Sequence, residues 1–129
     1  MIDLGPKSSI EIIYTVREAL AVPMCWLRGD YCDGDLGDET CFRFSLGGAL
    51  MHAAGVDKVT LFIGVPDAFN DALLAVASVI GPKDIDIDAR DALNQALNRI
   101  ETWNDGPLTT HADVLDVLER SHQLLASVL

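Results

Sequence analysis

The stretch Trp103-Asn104-Asp105-Gly106-Pro107-Leu108-Thr109-Thr110-His111 constrains the chain more than any other. Gly106 and Pro107 stop any helix that reaches Trp103. Thr110 and Asp113 then have the spacing and chemistry of a capping box, which starts the next one. Two helices joined by a short turn are expected here. Leu93, Leu97 and Ile100 fall at helical spacing before the turn, in a helix that Asp88 would cap. Val114, Leu115, Leu118, Leu125 and Leu129 do so after it. Short connections between these last elements predict antiparallel neighbours.

The same grammar runs upstream. Ser8 and Glu11 form a second capping-box pattern, opening a helix over residues 8–22 with Ile12, Ile13, Val16 and Leu20 inward and Pro23 as its end. The apolar run Met24-Cys25-Trp26-Leu27 is expected to tuck inward. A second helix is predicted over residues 40–54, with Phe42, Leu46, Ala49, Leu50 and Ala53 buried and Gly55 as its C-terminal cap. Gly47 and Gly48 in that helix each lower its propensity by roughly 1 kcal/mol relative to Ala, a loss that close packing of another backbone would explain. A third helix runs over residues 67–80, capped by Asp67, with Phe69, Leu73, Val76 and Ile80 inward and Gly81-Pro82 beyond. Residues 59–65 are β-branched and aromatic, which favours a short extended segment, although a lone strand has no evident partner. Residues 84–88 alternate for too few periods to make a strand. The fold expected is mainly α: one domain spanning residues 1–129, built as a compact bundle of about five helices.

At 129 residues, half of them hydrophobic, the chain can bury a core without disulfides or metals. No apolar run reaches the ~18 residues of a membrane helix, and residues 1–6 do not read as a secretory signal. Three cysteines, none in a C-x-x-C pair, fit a reduced cytoplasmic chain with free thiols. The net charge of −11 repels a phosphate backbone, so direct nucleic-acid binding is disfavoured, whereas a basic protein partner is favoured.

Several chemistries fail on spacing. Cys25, Cys32, Cys41 and His52 lack the short ligand pairs of structural zinc. His111 and His122 share a helix face but lie roughly 16 Å apart along its axis, too far to hold one metal. The acidic loop Asp30, Asp33, Asp35, Asp38 and Glu39 resembles a calcium loop in composition only, because the acids miss the required positions. A cysteine nucleophile needs a nearby base, and no residue pattern supplies one to Cys25, Cys32 or Cys41. No metal and no cofactor are therefore expected. No phosphate-binding glycine loop or nucleophile elbow occurs.

Two segments carry a resemblance. Arg43-Phe44-Ser45-Leu46-Gly47-Gly48-Ala49-Leu50 and the closing Trp103-Asn104-Asp105-Gly106-Pro107-Leu108-Thr109-Thr110-His111-Ala112-Asp113-Val114 resemble a family of small bacterial and phage proteins of unknown function. Its pattern is an R-x-C-x-x-G-A-L helix and a final W-N-D-x-P-x-x-T-H-x-[DE]-V, with Trp26 and Gly29 near an earlier Trp-containing segment. The likeness spans residues 12–55 and 92–125. Ser45 stands where that family tends to carry cysteine, so no cysteine chemistry transfers to this position. The resemblance implies a cytoplasmic bacterial or phage accessory protein and no particular reaction.

Two functions follow as expectations. The first is a non-enzymatic acidic protein that binds a macromolecular partner, most simply a basic protein, through its acidic surface; a phage-encoded inhibitor of a host system is one such class. The second is a small-molecule or hydrolytic pocket gathered from Trp26, Trp103, Asn104, Asp105, Thr110 and His111. Its bland counterpart is that His111 and Thr110 merely fasten the turn. Self-association through surplus apolar surface is a third reading, consistent with the positive mean hydropathy.

Overall fold

A computed structural model describes residues 8–32, 43–57, 64–81 and 92–127, and five α-helices lie among them. They are α1 (Ser9–Ala19), α2 (Leu46–Ala54), α3 (Asp67–Ile80), α4 (Ala92–Asn104) and α5 (His111–Ala126), with a 3₁₀ turn at Pro23–Cys25. No strand occurs among the described residues, and the helices pack as a compact bundle. Helix α3 packs on each of the other four, and α1 packs on α2, α3 and α5. Phe69, Leu73, Ile12, Leu50, Ile100 and Leu118, one or more from every helix, are fully buried and form the centre.

Local chemistry explains most boundaries. Ser8 accepts from the Glu11 amide at 3.2 Å while the Glu11 carboxylate accepts from the Ser8 amide at 3.3 Å, so the expected capping box opens α1. Thr110 and Asp113 do the same for α5, at 3.2 and 2.9 Å. Gly55, in the left-handed region at φ +71, closes α2 as anticipated. Gly48 has the neighbour its position implied: a Cβ there would overlap the Tyr31 carbonyl oxygen. The backbone of the segment before residue 33 thus lies directly on α2.

Several expectations shift. Helix α1 ends at Ala19, with Leu20 as its C-cap, before Pro23 can act as the stop. Helix α2 starts at Leu46, because Ser45 caps it and Phe44 is drawn into isolated bridges with Trp26 and Cys32. Arg43, Phe44 and Ser45 therefore precede the helix that the R-x-S-x-x-G-A-L pattern was expected to occupy. Pro66, with no side-chain bond, takes the cap position of α3, and Asp67 is its first residue, where its charge still suits the helix dipole. Met24 points to solvent at 74 % exposure instead of tucking in, because it rides on the outside of the 3₁₀ turn. Ile80, Leu93 and Leu115 are half-buried at the margins of their stripes.

The turn between α4 and α5 does not make them lengthwise neighbours, contrary to the antiparallel expectation; both pack on α3 instead. Their joining residues reach across to residues 20–29. Residues 59–63 of the expected extended segment, Asp88, Thr40, Phe42 and Leu129 lie outside the described residues, while Gly64 and Val65 are irregular.

Candidate functional site

Asn104, the last residue of α4, is completely buried at 0 % exposure, and its side chain is the hub of the molecule's closing end. Its Oδ1 accepts from the Trp26 indole N–H at 2.6 Å and from the Leu46 amide at 3.0 Å. Its Nδ2 donates to the Leu27 carbonyl at 3.0 Å and to Asp105 Oδ1 at 3.1 Å. An amide side chain has two acceptor sites and two donor hydrogens, so all four are in use.

Three of the first amides of α2 are consequently satisfied by side chains. Leu46 donates to Asn104, Gly47 donates to Glu101 Oε1 at 3.1 Å, and Gly48 donates to Ser45 Oγ at 3.0 Å. A helix start leaves such N–H groups without internal partners, and a buried one left unpaired is expensive. Here one partner is local and two arrive from α4. Glu101 and Asn104 reach the same helix end because three residues separate neighbours on one helix face.

The turn after α4 clamps the segment that follows α1. Asp105 Oδ1 accepts from the Gly29 amide at 2.8 Å. The Arg28 guanidinium donates to the Thr109 carbonyl and stacks over the Trp26 ring at 4.8 Å. Thr109 Oγ1 donates to the Trp103 carbonyl at 2.6 Å, fastening the turn on itself. His111 Nε2 lies 2.6 Å from the Leu20 carbonyl, which can only accept, so Nε2 carries the hydrogen. The His111 and Trp26 ring centres are 6.4 Å apart.

Trp26, Asn104, Asp105 and His111 are therefore brought together, and Trp103 packs half-buried against the core. Thr110 is engaged in its cap. The expected backbone role of His111 holds with a different partner: it ties α5 to the end of α1, not to its own turn. Of the acidic-surface residues only Asp30 is described, exposed, with its Oδ1 accepting from the Tyr31 amide; Asp33, Asp35, Asp38 and Glu39 lie outside the described residues. Cys32 is buried beside Phe44, Cys25 is half-buried, and His52 stacks on Phe44 at 4.7 Å, while Cys41 lies outside. His122 is half-buried at the side of its stripe, with Nδ1 3.5 Å from Arg17.

Sequence reasoning missed Glu101 and Ser45. The Ser45 hydroxyl, fully buried, donates to Glu101 Oε1 at 2.8 Å while accepting from Gly48. Burial raises the Glu101 carboxyl from the usual carboxylate range to about 7, with the Asp105 and Asp30 charges pushing the same way and the Ser45 and Gly47 hydrogen bonds opposing. Tyr31 is raised as well, first by burial and then by Glu101 and Asp30. A signal for Glu101 was present. Glu101 and Asn104 prolong the inward stripe of Leu97 and Ile100 with polar residues, and polar groups on a buried face must have partners.

Chemically, this assembly holds structure. Asn104, Thr109, Thr110 and the Nε2 of His111 are all engaged with protein groups, and the Ser45 hydroxyl is sealed from solvent. No curated protein and no solved structure matches the chain significantly. A family model does match, over residues 6–124, and the chain accordingly belongs to DUF6197, a family of unknown function.

Proposed function

We propose that this protein is a non-enzymatic accessory protein that binds a basic protein partner at the end of the bundle organised by Asn104. The observation that carries this reading is the engagement of that end's polar groups with one another, which leaves little chemistry free for a substrate. What faces outward there is of a different kind. Met24 and Leu108 are exposed at 74 % and 89 %, and Val22 is exposed beside Met24. The bonds from His111 to Leu20, from Arg28 to Thr109 and from Asp105 to Gly29 hold the segments bearing these residues side by side.

Exposed acids, Glu18, Asp30, Asp105 and Asp113, sit on the same two segments and their flanking turns. Large apolar side chains rimmed by charge are a usual form of interaction surface. The overall charge of −11 selects a cationic partner and speeds its approach. The acids Asp33, Asp35, Asp38 and Glu39 follow in sequence and carry charge of the same sign.

The test is affinity capture from host lysate, identification of the captured protein, and binding measured with that protein purified. A basic partner should be held less tightly as salt rises and should lose at least tenfold in affinity to Met24→Ser/Leu108→Ser. Asp33→Asn/Asp35→Asn/Asp38→Asn should slow its association. A captured protein indifferent to both sets of substitutions ends the proposal.

A further inference from the structure

The Glu101 carboxyl occupies a position that neither capping nor catalysis requires to be ionisable. Its Oε1 sits between the N-terminus of α2 and the body of α4, accepting from Ser45 Oγ and the Gly47 amide. The approach is so close that a Cβ on Gly47 would stand 2.5 Å from that oxygen. Among the described residues no cation pairs with Glu101. The titratable groups that face it are acidic or become so: Asp105 from the end of its own helix, and Asp30 and Tyr31 from the segment laid across α2. The groups of α2 that meet it, the Ser45 hydroxyl and Gly47 N–H, are uncharged.

We propose that Glu101 is a proton-operated latch: neutral, it joins α4 to the start of α2, where the Ser45 amide in turn holds the Tyr31 carbonyl; ionised, it adds its charge to those of Asp30 and Asp105 and loosens that junction. The neutral form keeps both hydrogen bonds, because the carbonyl oxygen of a carboxylic acid still accepts from Ser45 and Gly47. The ionised form strengthens those two bonds, yet remains mostly buried with no counter-charge among the described residues. Burial and repulsion outweigh the two bonds, so the carboxyl titrates at about 7 and both forms are populated near neutrality.

The direction of the effect follows from linkage. The folded protein holds this proton more tightly than the unfolded chain, whose glutamates titrate near the ordinary 4.5. The stabilisation is complete below that value and is lost as pH rises to about 7. Most acidic side chains that cap helices act in the opposite sense, so the contribution of Glu101 is isolated by comparison with Glu101→Gln, which mimics the neutral form at every pH.

The junction sits beside the proposed partner-binding end, but the latch does not depend on that reading, because its test uses the protein alone. The primary measurement is a carboxyl-carbon NMR titration of the full chain. One glutamate should show a midpoint near 7, and the Gly47 amide proton and the amides of residues 28–32 should shift with the same midpoint. Asp105→Asn, which keeps an acceptor for Gly29, should lower that midpoint. In parallel, the unfolding constant of the wild type relative to Glu101→Gln should rise at least tenfold from pH 5 to pH 8.5. Glutamates that all titrate near 4.5, a Gly47 amide without the high midpoint, or a wild-type to Glu101→Gln ratio constant with pH would each overturn the proposal.

Discussion

Replacing Asn104 by Ala removes one side chain and strands the groups around it. The Leu46 amide lies in a fully buried hydrogen bond, while the Trp26 indole N–H and the Leu27 carbonyl lie in partly buried ones. An orphaned buried polar group costs roughly 1–3 kcal/mol, and water reaching the two shallower sites brings them to the lower end. With the small void added, Asn104→Ala should lose about 4–5 kcal/mol, comparable to the entire stability of a weakly stable domain. Asn104→Asp divides that loss. It preserves the acceptor for Trp26 and Leu46 but loses the donor to Leu27, and it sets a carboxylate against Asp105 Oδ1, which the present amide approaches at 3.1 Å. Its deficit should therefore shrink as pH falls toward 4, when the new carboxyl takes up a proton and becomes a donor again. Urea unfolding followed by far-ultraviolet circular dichroism and tryptophan fluorescence gives both quantities. An Asn104→Ala variant within about 1 kcal/mol of wild type would refute the hub. So would an Asn104→Asp variant whose deficit ignores pH.

Three further outcomes are expected. Trp26→Phe keeps an aromatic ring but loses the pyrrole half of the indole with its N–H, and should destabilise by about 1–2 kcal/mol in the same urea assay, less than Asn104→Ala because Leu46 still holds Oδ1. Gly48→Ala should destabilise by about 1–3 kcal/mol, because the clash with the Tyr31 carbonyl exceeds the gain in helix propensity; an increase in thermal midpoint would show that residues 28–32 move aside easily. Thr110→Ala removes the α5 cap and should cost about 1 kcal/mol, with faster amide exchange at Asp113 and no change at the start of α2.

Much of the architecture was legible in residue pattern because it rests on short-range rules. Both capping boxes join residues three apart, and the Gly55 cap needs only a left-handed backbone. The inward stripes repeat the helical period, so Ile12, Phe69, Ile100 and Leu118 were identifiable as core. The Gly47-Gly48 pair announced a close approach without naming what approaches. Boundaries such as the start of α2 were less legible, since Phe44 has good local reasons to be helical and is claimed by partners far along the chain.

The same division runs through the candidate site. The residues from Trp103 to His111 could be recognised by their own chemistry as a turn rich in capable side chains, and their concentration beside one another was inherent in the order of the amino acids. Which group each would hold was decided elsewhere. Asn104 finds Trp26 and Leu46, and His111 finds Leu20, across separations of 58 to 91 residues. The position of Glu101 on the inward stripe of α4 announced that it needs a partner, and only packing showed that this partner is the start of α2. Local order determined the helices, their caps and their apolar faces, because those depend on neighbours within a few residues. Tertiary structure alone decided that the W-N-D…T-H segment clasps the molecule and that one carboxyl is half-buried against the start of α2, because hydrogen-bond satisfaction and desolvation depend on what is brought close from far away.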